Sequence, residues 1–144
     1  FWDNLEKELH NGTIVMLDLV KDELAKGDDD LSTWIKNIDD TLILDRRHPD
    51  IIKAYSDVLG YLQNSKLYSE KALKNWSNAT IADPWIIASA CVFDYTVITL
   101  ETGVGNLSEK NPCNNPKIPD ICSVFSVKCN DLFYMLRQLS FNFT

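Results

Sequence analysis

Helices separated by short β-branched runs predict a helix-rich α/β chain with a parallel sheet. Two observations carry this. Thr96-Val97-Ile98-Thr99-Leu100 is a continuous apolar and β-branched run of the kind found in strands buried on both faces, and the stretches between such runs carry apolar residues at helical spacing. The composition agrees: 144 residues, 45% hydrophobic and 24% charged, are enough for one domain with a buried core.

Taken in order, Asp3 to His10 places Trp2, Leu5 and Leu9 on one helical face, and Asn11-Gly12 stops it. Thr13 to Leu17 reads as extended. Asp18 is placed to cap a helix through Lys26 with Leu19, Val20 and Leu24 inward, and Gly27 ends it. Asp28-Asp29-Asp30 opens the next helix, which buries Leu31, Trp34, Ile35 and Ile38, and Thr41 to Leu44 is a strand candidate. Pro49 suits a first helical turn, and Ile52, Tyr55, Leu59 and Leu62 mark the inward face to about Gln63. A more polar helix spans Leu67 to Trp76. Ala82 to Phe93 is apolar nearly all round, hence a helix covered on most sides. Gly103 to Lys117 is a polar loop, Ile118 to Ser126 a short helix, Val127 to Cys129 a last strand and Asp131 to Leu139 the closing helix.

Several function classes are disfavoured. The net charge of −7, from 14 basic and 21 acidic residues, lacks the basic face of a duplex-DNA binder. No apolar run approaches the roughly 20 residues of a membrane span. Cys91, Cys113, Cys122 and Cys129 form no C-x-x-C pair, so zinc spacing is missing. There is no phosphate-binding glycine loop and no G-x-S-x-G turn, and His48 reads as part of a charged helix start. Sequons begin at Asn11, Asn75, Asn78, Asn106 and Asn142, which keeps a secreted glycoprotein with bridged cysteines as a lesser alternative.

Acidic residues give the better candidates, because ligands of parallel sheets bind beyond the carboxyl ends of the strands. Glu101 directly follows the most apolar strand. Asp83 opens a helix otherwise free of charge, where its plain structural reading is an N-cap. Glu23 lies mid-helix between Val20 and Leu24, with Lys26 as an alternative i,i+3 partner.

The order of these acids resembles the signature of PIN-domain ribonucleases: Val20-x-x-Glu23-Leu24, then Ala82-Asp83-Pro84-Trp85-Ile86-Ile87-Ala88-x-Ala90, then Val97-Ile98-Thr99-x-Glu101. Gly27-Asp28-Asp29-x-Leu31, Lys117-Ile118-Pro119-Asp120-Ile121-Cys122 and Leu132-Phe133-x-Met135-Leu136-Arg137 are similar to a narrower bacterial PIN-like branch, and the likeness runs from Phe1 to Phe143. It implies that Glu23, Asp83 and Glu101 converge as both metal ligands and catalytic acids, with Thr99 in support and Asp120 as an additional acid, read first as a helix cap. It implies a PIN-like three-layer α/β/α fold with a short central parallel sheet, Mg²⁺ or Mn²⁺, an RNA substrate, a cytoplasmic setting and, in toxin relatives, an antitoxin partner. Hard divalent cations prefer such carboxylate oxygens. Lys110 and Lys117 flank the loop after Glu101 and are the candidate RNA contacts. The resemblance further implies a buried strand ending in Asp-x-Asn ahead of Phe1. The single domain of residues 1–144 is then N-terminally incomplete, short of one acid, and inactive as it stands. The runner-up is a PIN-like module that binds without catalysis.

Overall fold

The computed structural model describes residues 1–139, so the Asn142 sequon and the last residues of the expected domain lie outside the described residues. The chain is helix-rich with a small parallel sheet, a mixed α/β fold. It forms two compact units: Phe1–Arg46 with the described residues from Leu136 on, and Arg47–Met135.

In the first unit, α1 (Trp2–Asn11) ends at Gly12, whose φ of 78° is the left-handed conformation glycine adopts without a Cβ penalty. Its stop is the one the sequence predicts. Helix α2 (Asp18–Ala25) starts one residue earlier than a cap at Asp18 requires, with Leu17 at the cap position. Leu17 is held extended by a parallel bridge to Leu44, with the Asp18 amide donating to the Leu44 carbonyl at 2.9 Å. The Asp18 carboxylate instead accepts from Leu19 at 2.8 Å and pairs with Arg46 at 2.7 Å. Helix α3 (Asp30–Lys36) is capped by Asp29, which accepts from the Ser32 amide and hydroxyl, each at 2.9 Å. Those two bonds hold the Asp29 carboxyl below the ordinary aspartate range. Thr41 to Leu44 is not a strand. Asp39 accepts from the Thr41 amide at 2.9 Å and winds Asp40–Leu42 into a 3₁₀ turn, leaving only Leu44 to bridge. Leu9, Ile35 and Ile38 form this unit's core, flanked by Ile14, Met16, Leu24 and Trp34.

In the second unit, α4 (Pro49–Asn64) is entered through His48, whose Nδ1 accepts from the Asp50 amide at 3.1 Å. Its buried face is Ile51, Val58 and Leu62, whereas Ile52 is 45% exposed. The expected stripe holds at Leu62, at Leu59, which packs against the core, and at Tyr55, which stacks on Trp85, while at its start Ile51 takes the buried place expected of Ile52. Helix α5 (Glu70–Trp76) is capped by Ser69 and starts late, because Tyr68 bridges to Cys113 and keeps Leu67 and Tyr68 extended.

Helix α6 (Asp83–Phe93) is the centre of the unit, with Ile87, Ala88 and Ala90 all buried. The Tyr55 and Trp85 rings stack at 3.8 Å, and His48 meets Phe93 edge-on at 5.6 Å, so α4 and α6 run antiparallel. Asp94 turns the chain in the left-handed region and β1 (Val97–Ile98) follows. It pairs in parallel with β2 (Cys129–Asn130) in the register Val97↔Cys129 and Ile98↔Asn130. Both strands are shorter than the runs suggested, and β2 sits later in the chain than Val127. Among the described residues β2 is the only strand on β1, so the other edge of β1 carries none. Helix α7 (Ile118–Val124) completes the unit together with the first residues of α8 (Leu132–Gln138), whose residues from Leu136 on belong to the first unit; α8 is capped by Asp131 through the Tyr134 amide at 2.8 Å. The core joins Val58, Leu62, Trp76, Ile87, Val97, Ile121 and Cys122.

After α7 the Val127 amide closes on the Cys122 carbonyl at 2.9 Å, with Ser126 at φ 56° between them. A left-handed non-glycine residue costs about 1–2 kcal/mol. Ser126→Gly is expected to gain about 1 kcal/mol, read as a rise in the urea midpoint with an unchanged slope.

Candidate functional site

Asp83 is the first helical residue of α6, half-buried, with Ala82 and not Asp83 at the cap position, and Glu101 is half-buried three residues beyond β1.

Glu101 is oriented by its neighbours. Its amide donates to Thr99 Oγ1 at 3.1 Å, fixing the bend after β1. Its carboxylate then accepts from the Ile118 amide at 2.8 Å, in the first turn of α7. Asp120, in that same turn, answers in the opposite direction: its Oδ2 accepts from the Val104 amide at 2.8 Å. Asp120 therefore caps the loop rather than its own helix. The two carboxylates form a reciprocal latch that pins the Glu101–Val104 bend to the start of α7. Glycine at 103 is required by this closeness, since a Cβ there would stand 2.5 Å from Asp120 Oδ1. Each acid spends one oxygen on an amide, and Glu101 Oε1 and Asp120 Oδ1 have no hydrogen-bond partner among the described residues.

Gly103→Ala is expected to push the Asp120 carboxylate off the Val104 amide. The loss of one charge-assisted bond is worth about 1.5–3 kcal/mol. A double-mutant cycle with Asp120→Asn tests this. Additive effects would show that the two positions do not share the latch.

Tyr68 is the residue that sequence reasoning missed. It is 6% exposed, and burial first, the Asp120 charge second, push its phenol far above its ordinary value. It thus stays neutral beside the acid. The available signal was a lone polar tip in an otherwise apolar Leu67-Tyr68 pair ahead of a serine cap. Tyr68 also borders a groove of about 510 Å³ along α4 and α5, lined by Gln63, Ser69, Glu70, Lys74 and Ser77. Glu101 and Asp120 are not among its walls.

The remaining predicted residues fall as follows. Lys117 immediately precedes α7 and is half-buried next to the latch, while Lys110 is exposed in the loop, its amide donating to Ser108 Oγ at 3.1 Å. Glu23 is exposed on α2 and belongs to the first unit. Among the described residues no three His, Cys, Asp or Glu side chains gather closely enough to hold a metal ion. The donor chemistry that is present, two carboxylates with one open oxygen each, suits Mg²⁺, which is commonly held by one or two carboxylates and keeps several waters.

The four cysteines are free thiols, where a bridged secreted domain would pair them. Burial pushes Cys122 up to about 12, helped by neighbouring Cys129, and raises Cys129 and Cys91 as well. Such thiols stay protonated and unreactive. No described helix is long and apolar enough to cross a membrane.

No curated protein matches the chain, and no solved structure does. One family model matches residues 1–143, that of a domain of unknown function (DUF4411), and the chain belongs to this family.

Proposed function

We propose that the chain is a metal-dependent endoribonuclease domain of PIN type, with a three-layer α/β/α core and Mg²⁺ or Mn²⁺ as its cofactor. The observation that carries the reading is the place of Glu101. It lies three residues beyond the carboxyl end of a parallel strand, oriented by Thr99 and the Ile118 amide, with Asp120 in the same turn of α7 bonded to the Val104 amide. That is where ligands of parallel sheets bind.

In this reading Glu101 and Asp120 offer their open oxygens to the cation and Asp83 adds a third carboxylate. Lys117 meets a phosphate. When bound, the cation acidifies a water and offsets charge on the scissile phosphate. The chain's own contribution is to orient the carboxylates by hydrogen bonds that use one oxygen of each. An antitoxin protein as partner, and a cytoplasmic setting, belong to the same reading.

Titration calorimetry of Mn²⁺ into the full-length gene product, and into its Glu101→Gln and Asp83→Ala variants, tests the proposal. Affinity should drop by about tenfold or more in both. Unchanged affinity in both would discard it. A second reading, a PIN-like binding module without catalysis, is favoured by one feature: both latch carboxylates already serve backbone amides. RNA binding without Mn²⁺-dependent cleavage would select it.

A further inference from the structure

Asn11-Gly12 ends α1, and nowhere else in the chain does an asparagine precede a glycine. Asn11 is exposed, and around Gly12 there is open space: a Cβ there would meet nothing within 4 Å. An asparagine so placed has a reactive partner in the next backbone nitrogen, which no side chain shields. Having given its proton to solvent, the Gly12 nitrogen can attack Asn11 Cγ. The new C–N bond closes a succinimide ring, and the side-chain nitrogen leaves as ammonia. One water then opens the ring. Opening at Cγ leaves aspartate; opening at the backbone carbonyl leaves isoaspartate, whose main chain is longer by one methylene. Water in and ammonia out balance the reaction, and no enzyme or oxidant enters it.

Conformation sets the rate. The Gly12 amide donates to the Leu9 carbonyl at 3.2 Å, the long end of the usual range, and the Thr13 and Ile14 amides both close on the Glu8 carbonyl, at 3.0 and 3.2 Å. While these bonds hold, the Gly12 proton is engaged, and the helical ψ of Asn11 keeps the following nitrogen out of line with Cγ. The last turn of a helix is where such closures open first. Helix α1 has ten residues and buries only Leu9. Asn64-Ser65, at the end of α4, is the contrast. Its helix has 16 residues with Ile51, Val58 and Leu62 buried, the Ser65 amide donates to Tyr61 at 2.9 Å, and the serine side chain crowds the nitrogen.

We propose that Asn11 is a self-modification site, converting to aspartate and isoaspartate at a rate gated by opening of the end of α1. The inference is independent of the ribonuclease reading. Its consequence is local. A new negative charge stands at a helix C-terminus, where the dipole opposes it, and the extra methylene of isoaspartate carries the Thr13 and Ile14 amides away from Glu8. Leu9, two residues earlier, belongs to the small core of the first unit, so modified chains loosen there.

The experiment incubates the full-length gene product in mildly alkaline heavy-oxygen water, native and in denaturing urea, with Asn11→Gln alongside. Peptide mapping by mass spectrometry should find the solvent's oxygen at residue 11 before residue 64, and native protein should react about tenfold or more slowly than protein in urea. Asn11→Gln should remove the signal at residue 11, since glutamine closes its larger ring far more slowly. The modified fraction, separated by anion exchange, should exchange its α1 amides faster with α6 unchanged. An unmodified Asn11 in native protein, over the time in which the urea sample converts fully, would overturn the site. Equal rates in the two samples would overturn the gate, and Asn64 reacting first would overturn the contrast between the two helix ends.

Discussion

Glu101→Gln is expected to lower Mn²⁺-dependent RNA cleavage by the full-length gene product at least about a hundredfold while leaving the melting temperature within a few degrees. The two effects separate because the residue has two jobs. Gln keeps a carbonyl oxygen to accept from the Ile118 amide, so the latch is retained with a neutral acceptor in place of a charged one. That change is worth about 1 kcal/mol, which is a few degrees in a domain of this size. The charge that a cation needs is lost entirely. Changes to residues that only orient metal ligands already cost about 10–100-fold, and a ligand should exceed the upper figure. Glu101→Ala should differ by also leaving the buried Ile118 amide without its acceptor, at a further 1–3 kcal/mol or so. Cleavage undiminished in the Gln variant would leave Glu101 with the latch alone.

Ile87→Ala should cost about 3 kcal/mol, the largest stability loss of any single change considered. Ile87 is fully buried in the middle of α6, within the larger core, and its removal leaves a cavity between Val58, Ala90, Val97 and their neighbours. In a protein stable by about 5–15 kcal/mol this is a sizeable fraction. The measurement is a urea transition followed by far-ultraviolet circular dichroism, with the loss appearing in the midpoint at constant slope. A loss below 1 kcal/mol would mean that the core around α6 recloses, and the dominant role given to this helix would be wrong.

The helices were legible because their signals are local. Asn11-Gly12, Asp29, Pro49, Ala82 to Phe93 and Asp131 each carry a cap, a stop or a burial pattern within a few residues, and all act where the sequence placed them. The strands were less legible because pairing is not local. Thr41 to Leu44 has β-branched composition, yet an aspartate two residues earlier decides for a turn. Thr96 to Leu100 pairs over only two residues, because the partner is no longer than that. Site residues divide likewise. Glu101 was found from its place after a strand and Asp120 from a motif. The link between them runs through backbone amides of residues 104 and 118, which no side-chain pattern announces. Gly103 looked like a loop breaker and is instead the gap into which a carboxylate fits.

The two cores are unequal, and this sets how the protein opens. The smaller rests on three deeply buried residues, Leu9, Ile35 and Ile38, while the larger gathers eleven. Segments with little buried apolar area exchange their amide hydrogens through partial opening, at a free energy below that of global unfolding. Helices α1 to α3 should therefore exchange by such sub-global events while α6 waits for the whole unit to unfold. Glu23 rides on the yielding part and Glu101 on the resistant one. A hydrogen-exchange experiment should therefore resolve two sets of amides, the faster in α1 to α3 and the slower in α6.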